Sequence, residues 1–276
     1  MTDNQLPISE DFYSIQCEGI TTGKPAYFIR LKGCNLQCGA SAAFIKEVQR
    51  AGKGNTVSGS FQGDLHKDGK ATWTCDSIPV WLFGEKKPFN YLTDKWKETK
   101  VNDKESLHDW ILKRVVHLIW TGGEPTIHQE KIVVFVEQFM QENLTLPYSE
   151  LETNGTLELS EGFSDVMTQI NCSPKLANSG MKSAKRINPK AIESIKNHWN
   201  SWFKFVIDKE EDIHEFVKDY CEPFNIDMTQ VVCMPALDSR ENFHERTHFV
   251  LEMAKKYGFH GLTRLHISAY DRATGV

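Results

Sequence analysis

Residues 25–38 read PAYFIRLKGCNLQC, and the fold turns on how this stretch is taken. Aromatic and β-branched residues fill 26–31, as a strand prefers. Gly33 ends the run, and two thiols, Cys34 and Cys38, follow with three residues between them. The edge of a sheet hands ligands to an iron–sulfur cluster in this way. A third thiol, Cys75, stands far down the chain beyond a long polar interruption.

The rest of the chain limits what this stretch can belong to. Its 276 residues are 40% hydrophobic and 25% charged, enough for one large α/β domain over residues 1–276, with nothing that looks like a linker between two cores. The opening MTDNQLPISEDF is polar and acidic, without an apolar signal core. No apolar run approaches the roughly 20 residues of a membrane span. A soluble, cytoplasmic protein with no membrane partner is expected. Seven cysteines in that compartment read as reduced thiols, some of them metal ligands, rather than as a disulfide framework. A net charge of −5 supplies no basic face for phosphate backbones, so nucleic acid is not expected as a partner.

Taken in order, residues 12–19, FYSIQCEG, form a short segment with a polar tip at Gln16, Cys17 and Glu18, and 26–31 reads as the first strand. Residues 39–74 are rich in Gly, Lys and Ser, with one short helical piece at 43–50, and read as a surface segment inserted into the loop that carries the thiols. Trp81, Phe83, Phe89, Tyr91 and Trp96 form an aromatic group that reads first as core, with a substrate lid or a subunit contact as alternatives. Beyond it the pattern predicts a helix at 107–116, a strand at 116–120, the turn TGGEP at 121–125 and an amphipathic helix at 129–142. Strands follow at 150–153, 167–172, 202–207, 230–233 and 262–267, with helices at 213–221 and 241–257. Strands alternating with helices, with unusual residues after each strand, predict a parallel sheet in an open, incomplete β/α barrel, with ligands at its carboxyl edge.

A four-iron cluster held by three thiolates leaves one iron open, and Cys34, Cys38 and Cys75 supply three. On cysteine count alone a zinc site competes. The surrounding blocks are FYSIQCEG, FIRLKGCNLQC, WTCDS, TGGEP at Thr121, ETNGT at Glu152, CSPK at Cys172 and the ending LHISAYDRATGV. In these blocks, in this order and over nearly its whole length, the chain resembles the 7-carboxy-7-deazaguanine synthases, radical S-adenosylmethionine (SAM) enzymes of the 7-deazapurine (queuosine precursor) pathway.

The resemblance implies a radical SAM barrel whose 4Fe-4S cluster sits on Cys34, Cys38 and Cys75. It places SAM on Gly123, Glu124, Ser173, Pro174 and Lys175, and more loosely on Met234 and Pro235. Glycines let backbone approach a ligand closely, and Glu124 can accept from the ammonium of the cofactor. The implied substrate is 6-carboxy-5,6,7,8-tetrahydropterin, on Ile15, Gln16, Cys17, Glu18, Arg30 and Thr121, with His266 and the terminal Val276 nominated by a C-terminus folded over the pocket. Arg30 suits the carboxylate because a guanidinium pairs with it in two bonds, and a strand-end ion pair is its structural alternative. Ser77 aligns with a Mg²⁺ contact, an ion that keeps several waters and bridges to substrate oxygens. A flavodoxin-like electron donor and a homodimer are also implied.

Two features depart from the family pattern. Cys17 stands where a glycine is usual, adding a side chain beside the pterin position, and residues 39–74 separate cysteines that relatives hold two residues apart. Loop-closure entropy grows slowly with length, so such an insertion is tolerable if its ends are fixed. The rival readings are another radical SAM enzyme such as a glycyl-radical activase, a non-catalytic scaffold with the same fold, and a zinc-stabilised binding module.

Overall fold

The computed structural model describes residues 4–52, 71–237, 239–271 and 273. Nine strands are present among them: β1 (Gln5–Ile15), β2 (Pro25–Leu31), β3 (Glu85–Pro88), β4 (His117–Gly122), β5 (Ser149–Thr153), β6 (Gln169–Cys172), β7 (Ser201–Ile207), β8 (Val231–Pro235) and β9 (His260–Gly261). They form one sheet in the order β3-β1-β2-β4-β5-β6-β7-β8-β9. Every pairing from β2 to β9 is parallel. The helices Gln129–Asn143, Glu161–Val166, Pro189–Lys196, Glu210–Phe216 and Phe243–Tyr257 fall between successive strands from β4 onward. The α/β class and the open, mainly parallel sheet are therefore as the alternation predicts, with β3 and β9 as the two edges.

Three local expectations change. The strand at 26–31 is the second, because the polar opening already forms β1, which pairs antiparallel with both β2 and β3, so the sheet is not wholly parallel. A register shift between Ile8 and Glu10 leaves Glu10 opposite Arg30. Residues 262–267 are not a strand. β9 ends at Gly261, and the chain turns into the helix Leu265–Tyr270, which buries only Ile267. The helix expected at 213–221 starts at Glu210 and passes into a π-wound turn, Val217–Cys221.

The core lies between the sheet and its helices, and Phe89, Tyr91 and Trp96 of the aromatic group pack in it. Trp96 is fully buried and meets Tyr27, Phe135 and Phe139 edge-on, with ring centroids 5.5, 6.0 and 6.0 Å apart. Edge-to-face contacts of this kind suit the ring quadrupoles and add to the burial of large apolar area. Trp81 packs elsewhere, with Ala40, Phe44, Ile45, Val48 and Ile78. That second cluster seats the helix Ala42–Ala51 of the inserted segment, which Ser41 caps by accepting from the Phe44 N–H.

Because strand side chains alternate between faces, the face away from these helices carries a different chemistry. Glu150 and Glu152 on β5, Gln169 and Asn171 on β6, and Lys204 on β7 are bonded to one another. This polar face forms the floor of the functional cavity.

Candidate active site

The carboxyl ends of the parallel strands surround a cavity of about 590 Å³. Cys34, Cys38, Cys75 and Ser77 line it, as do Ile15, Gln16, Cys17, Glu18, Arg30 and Thr121, then Gly123, Ser173, Lys175, Met234 and His266. Residues far apart in sequence thus line one cavity, although Glu124, Pro174 and Pro235 are not part of its lining. Val276 lies outside the described residues.

The thiol loop is held by backbone. The Cys75 N–H donates to the Cys38 carbonyl at 3.0 Å, and the Gly39 N–H to Ser179 O at 2.8 Å. A Cβ on Gly39 would fall 2.0 Å from the Trp73 carbonyl, so only glycine lets the outgoing and returning chains cross there. The ends of the inserted segment are fixed, although residues 53–70 of it lie outside the described part. Burial pushes the Cys34 thiol up to about 12, and raises Cys38 and Cys75 as well. The Cys75 thiol is further raised by Asp76 and by the other two cysteines, whereas Lys175 works in the opposite sense at Cys34 and Cys38. Buried thiols of this kind stay protonated until a metal takes the proton's place. Among the described residues no three His, Cys, Asp or Glu side chains converge on one point, and the three thiols share the cavity lining with Lys175.

TGGEP has a structural purpose that the sequence does not separate from ligand binding. A Cβ on Gly123 would lie 1.9 Å from Gly33 O, and one on Gly122 (φ +116°) 2.5 Å from Leu31 O. The close approach is therefore to the chain leaving β2, sealed by Gly123 N–H to Leu31 O (3.1 Å) and Glu124 N–H to Gly33 O (2.8 Å). Glu124 is fully buried behind the wall. Its carboxylate accepts from the Thr126 N–H and hydroxyl, the Thr153 hydroxyl and the Asn154 N–H. It splices TGGEP to ETNGT, so the structure gives it a positioning place instead of an open acceptor. Lys175 Nζ donates to Ser173 Oγ at 3.0 Å and stands 5.7 Å from the Trp73 ring centroid.

The cavity also carries a charged wall, which adjoins the thiols where Asp76 follows Cys75. Lys204 Nζ lies 2.7 Å from Glu152 Oε2 and 3.1 Å from Glu18 Oε2. Arg264 Nε lies 2.9 Å from Glu18 Oε1, and its Nη2 3.0 Å from Asp76 Oδ2. Burial alone would raise Glu18, but Lys204 and Arg264 outweigh it and hold its carboxyl well below the usual carboxylate range. At Glu152 burial prevails over Lys204 and raises the carboxyl. Burial and the neighbouring Arg264 lower His266, whose Nδ1 is 3.9 Å from Glu18 Oε1.

Gln16 turns inward. Its Nε2 donates toward Glu150 and Glu152, and its Oε1 accepts from the backbone N–H groups of Cys17 and Glu18. The Cys17 thiol donates to Ile15 O at 3.1 Å, and burial pushes it up to about 11. Arg30 makes the strand-end ion pair, with Glu10 at 3.3 Å, covers the Phe12 ring and also lines the cavity. Ser77 Oγ donates to Asp76 Oδ1. Sequence reasoning passed over Glu150, Glu152, Lys204, Arg264 and Asp76 as individual site residues. The available signals were a lysine inside the apolar run SWFKFVI and two glutamates spaced i, i+2 on one strand.

A nine-stranded α/β sheet thus carries three thiols and a charged wall at the carboxyl edge of its parallel strands. No family model matches the chain. It is, however, similar over nearly its full length to curated 7-carboxy-7-deazaguanine synthases. That of Pyrobaculum aerophilum is 28% identical over 98% of this chain and 97% of its own, and that of Halobacterium salinarum 25% identical over 97% and 91%. The Aquifex aeolicus synthase is 28% identical over 92% and 89%. The crystal structure of QueE from Escherichia coli shares the fold, with a TM-score of 0.57, 18% identity and 95% of each chain covered. The resemblance read from the motifs is borne out.

Proposed function

We propose that this chain is a radical SAM lyase that converts 6-carboxy-5,6,7,8-tetrahydropterin to 7-carboxy-7-deazaguanine with loss of ammonia. The observation that carries the reading is the sharing of one cavity by Cys34, Cys38 and Cys75 with Arg30, Glu18, Glu152 and Lys204, in a chain similar throughout to synthases of that name. A 4Fe-4S cluster on Cys34, Cys38 and Cys75, with SAM beside it, would supply the one-electron chemistry that removes hydrogen from the pterin.

The chain's own residues orient and screen. Cys34, Cys38 and Cys75 hold the cluster, and Ser173 and Lys175 contact SAM beside it, with Gly123 and Met234 completing that wall. Arg30 leaves Glu10 to pair with the substrate carboxylate, since a guanidinium binds a carboxylate better where water is excluded. Glu18 and Glu152 accept from ring N–H groups, Lys204 stands between them and helps to hold Glu18 ionised, and Thr121, Cys17 and His266 close the pocket. Asp76 and Ser77 offer oxygen donors to Mg²⁺. One radical SAM domain with an insertion at 39–74, a flavodoxin-like electron donor, a homodimer and a cytoplasmic setting belong to the same reading.

The test is anaerobic reconstitution with iron and sulfide, then incubation with reductant, SAM, Mg²⁺ and carboxytetrahydropterin, with products read by mass spectrometry. Formation of 7-carboxy-7-deazaguanine is the expected result. Cleavage of SAM with the pterin untouched would move the chain to another radical SAM activity, and failure to form a cluster would leave a scaffold.

A further inference from the structure

Glu150 and His117 have no part in the reading above, and neither lines the cavity. Glu150 sits two residues before Glu152 on β5, so both carboxylates point to the same face, with Glu150 one layer deeper. It is fully buried. His117 Nδ1 meets its Oε1 at 2.5 Å. Its Oε2 accepts from Thr21 Oγ1 at 2.8 Å and Asn171 Nδ2 at 3.1 Å, with longer approaches from Gln16 and Gln169 at 3.4 Å.

Every amide around Glu150 presents its NH₂ side to it: Gln16, Gln169 and Asn171 all donate. That leaves Gln16 one orientation. Nε2 lies between Glu150 and Glu152, at 3.4 and 3.3 Å, and Oε1 is turned to the N–H groups of Cys17 and Glu18 at 3.0 and 3.3 Å. Asn171 Nδ2 bridges the same two carboxylates, reaching Glu152 Oε1 at 3.0 Å. We infer that Glu150 is a positioning residue for the cavity: through Gln16 it fixes the Cys17–Glu18 turn, and through Asn171 it fixes Glu152. It thereby sets both carboxylates that flank Lys204. His117, stacked on Tyr148 at 3.8 Å between ring centroids, occupies the far oxygen and holds Glu150 in place.

The inference rests on the proposed reaction for its choice of substrate. Glu150→Leu keeps the side chain's size but removes both acceptor oxygens, so Gln16 and Asn171 lose the bonds that set them. The reconstituted variant is expected to show a KM for carboxytetrahydropterin raised about tenfold, as the loss of a charge-assisted bonding pattern entails. Its iron content, its KM for SAM and its SAM cleavage without pterin stay at wild-type values. Thr21→Val, which removes one donor near the surface, gives a rise of about threefold and decides the matter if Glu150→Leu does not fold. A crystal structure of Glu150→Leu, with Gln16 rotated away from Glu152, reads the same claim without turnover. An unchanged pterin KM in a folded variant, a parallel fall in every parameter, or an unmoved Gln16 overturns it. If the wild-type enzyme does not convert the pterin, the substrate assignment falls while the crystal structure still decides this inference.

Discussion

The two walls of the cavity are built in opposite ways. The thiol wall is a backbone construction: Gly39, Gly122 and Gly123 let chains lie against one another, and carbonyl-to-amide bonds fix where Cys34, Cys38 and Cys75 stand. The charged wall is a side-chain construction, in which Glu18, Glu152, Lys204, Arg264 and Asp76 come from separate parts of the chain and hold one another by ion pairs. Backbone walls tolerate little change in shape, whereas ion-pair walls tolerate little change in charge. The first is suited to holding a rigid inorganic group, and the second to a polar organic molecule that must enter and leave.

The largest effect should follow from Cys75→Ala. Removal of one thiol from the backbone wall is expected to abolish cluster assembly, read as loss of bound iron and of the broad visible absorption after reconstitution, while the fold persists. A variant that retained a full cluster would show that the third ligand lies elsewhere.

Next comes Lys204→Met, which strips the cation from the charged wall and leaves Glu18 and Glu152 facing each other. Breaking a buried pair from one side costs about 3–5 kcal/mol, so the denaturant midpoint should fall clearly while reconstituted iron content does not. Equal loss of both would mean that the walls are not independent.

The smallest effect concerns pH. The Glu18 carboxyl in the folded protein titrates well below its ordinary value of 4.5. The stability it contributes is therefore complete above that value and is lost as pH falls through the folded-state pKa. Comparing urea midpoints of the wild type and Glu18→Gln should give a gap that is constant near neutrality and closes on acidification below about pH 4.5. A gap that widens toward acid would assign Glu18 the opposite sign.

The same contrast explains what was legible. The thiol wall is written in contiguous blocks, GCNLQC, WTCDS, TGGEP and CSPK, because neighbouring backbone makes it. The charged wall draws one residue per strand or loop, and each looks like an ordinary charge until topology brings them together. β1 escaped notice because Pro7, Ser9, Glu10 and Asp11 obscure its alternation, although Leu6 and Ile8 are buried. At 262–267 the apolar Leu262, Leu265 and Ile267 fit a short strand as well as a helix, and the chain takes a helix once β9 has ended. Glu124 was legible as important but not in its role, since a motif cannot say on which side of a wall its carboxylate lies.

The crossing of Gly39 beneath Trp73 has one further consequence. Since the Cys75 N–H and the Thr74 hydroxyl bond back to the Cys38 and Gly39 carbonyls, the spacing of those thiols in space is uncoupled from the number of residues between them. Any replacement grafted there would have to keep one part of the segment, the helix Ala42–Ala51, whose Phe44, Ile45 and Val48 pack with Cys34 and Cys75.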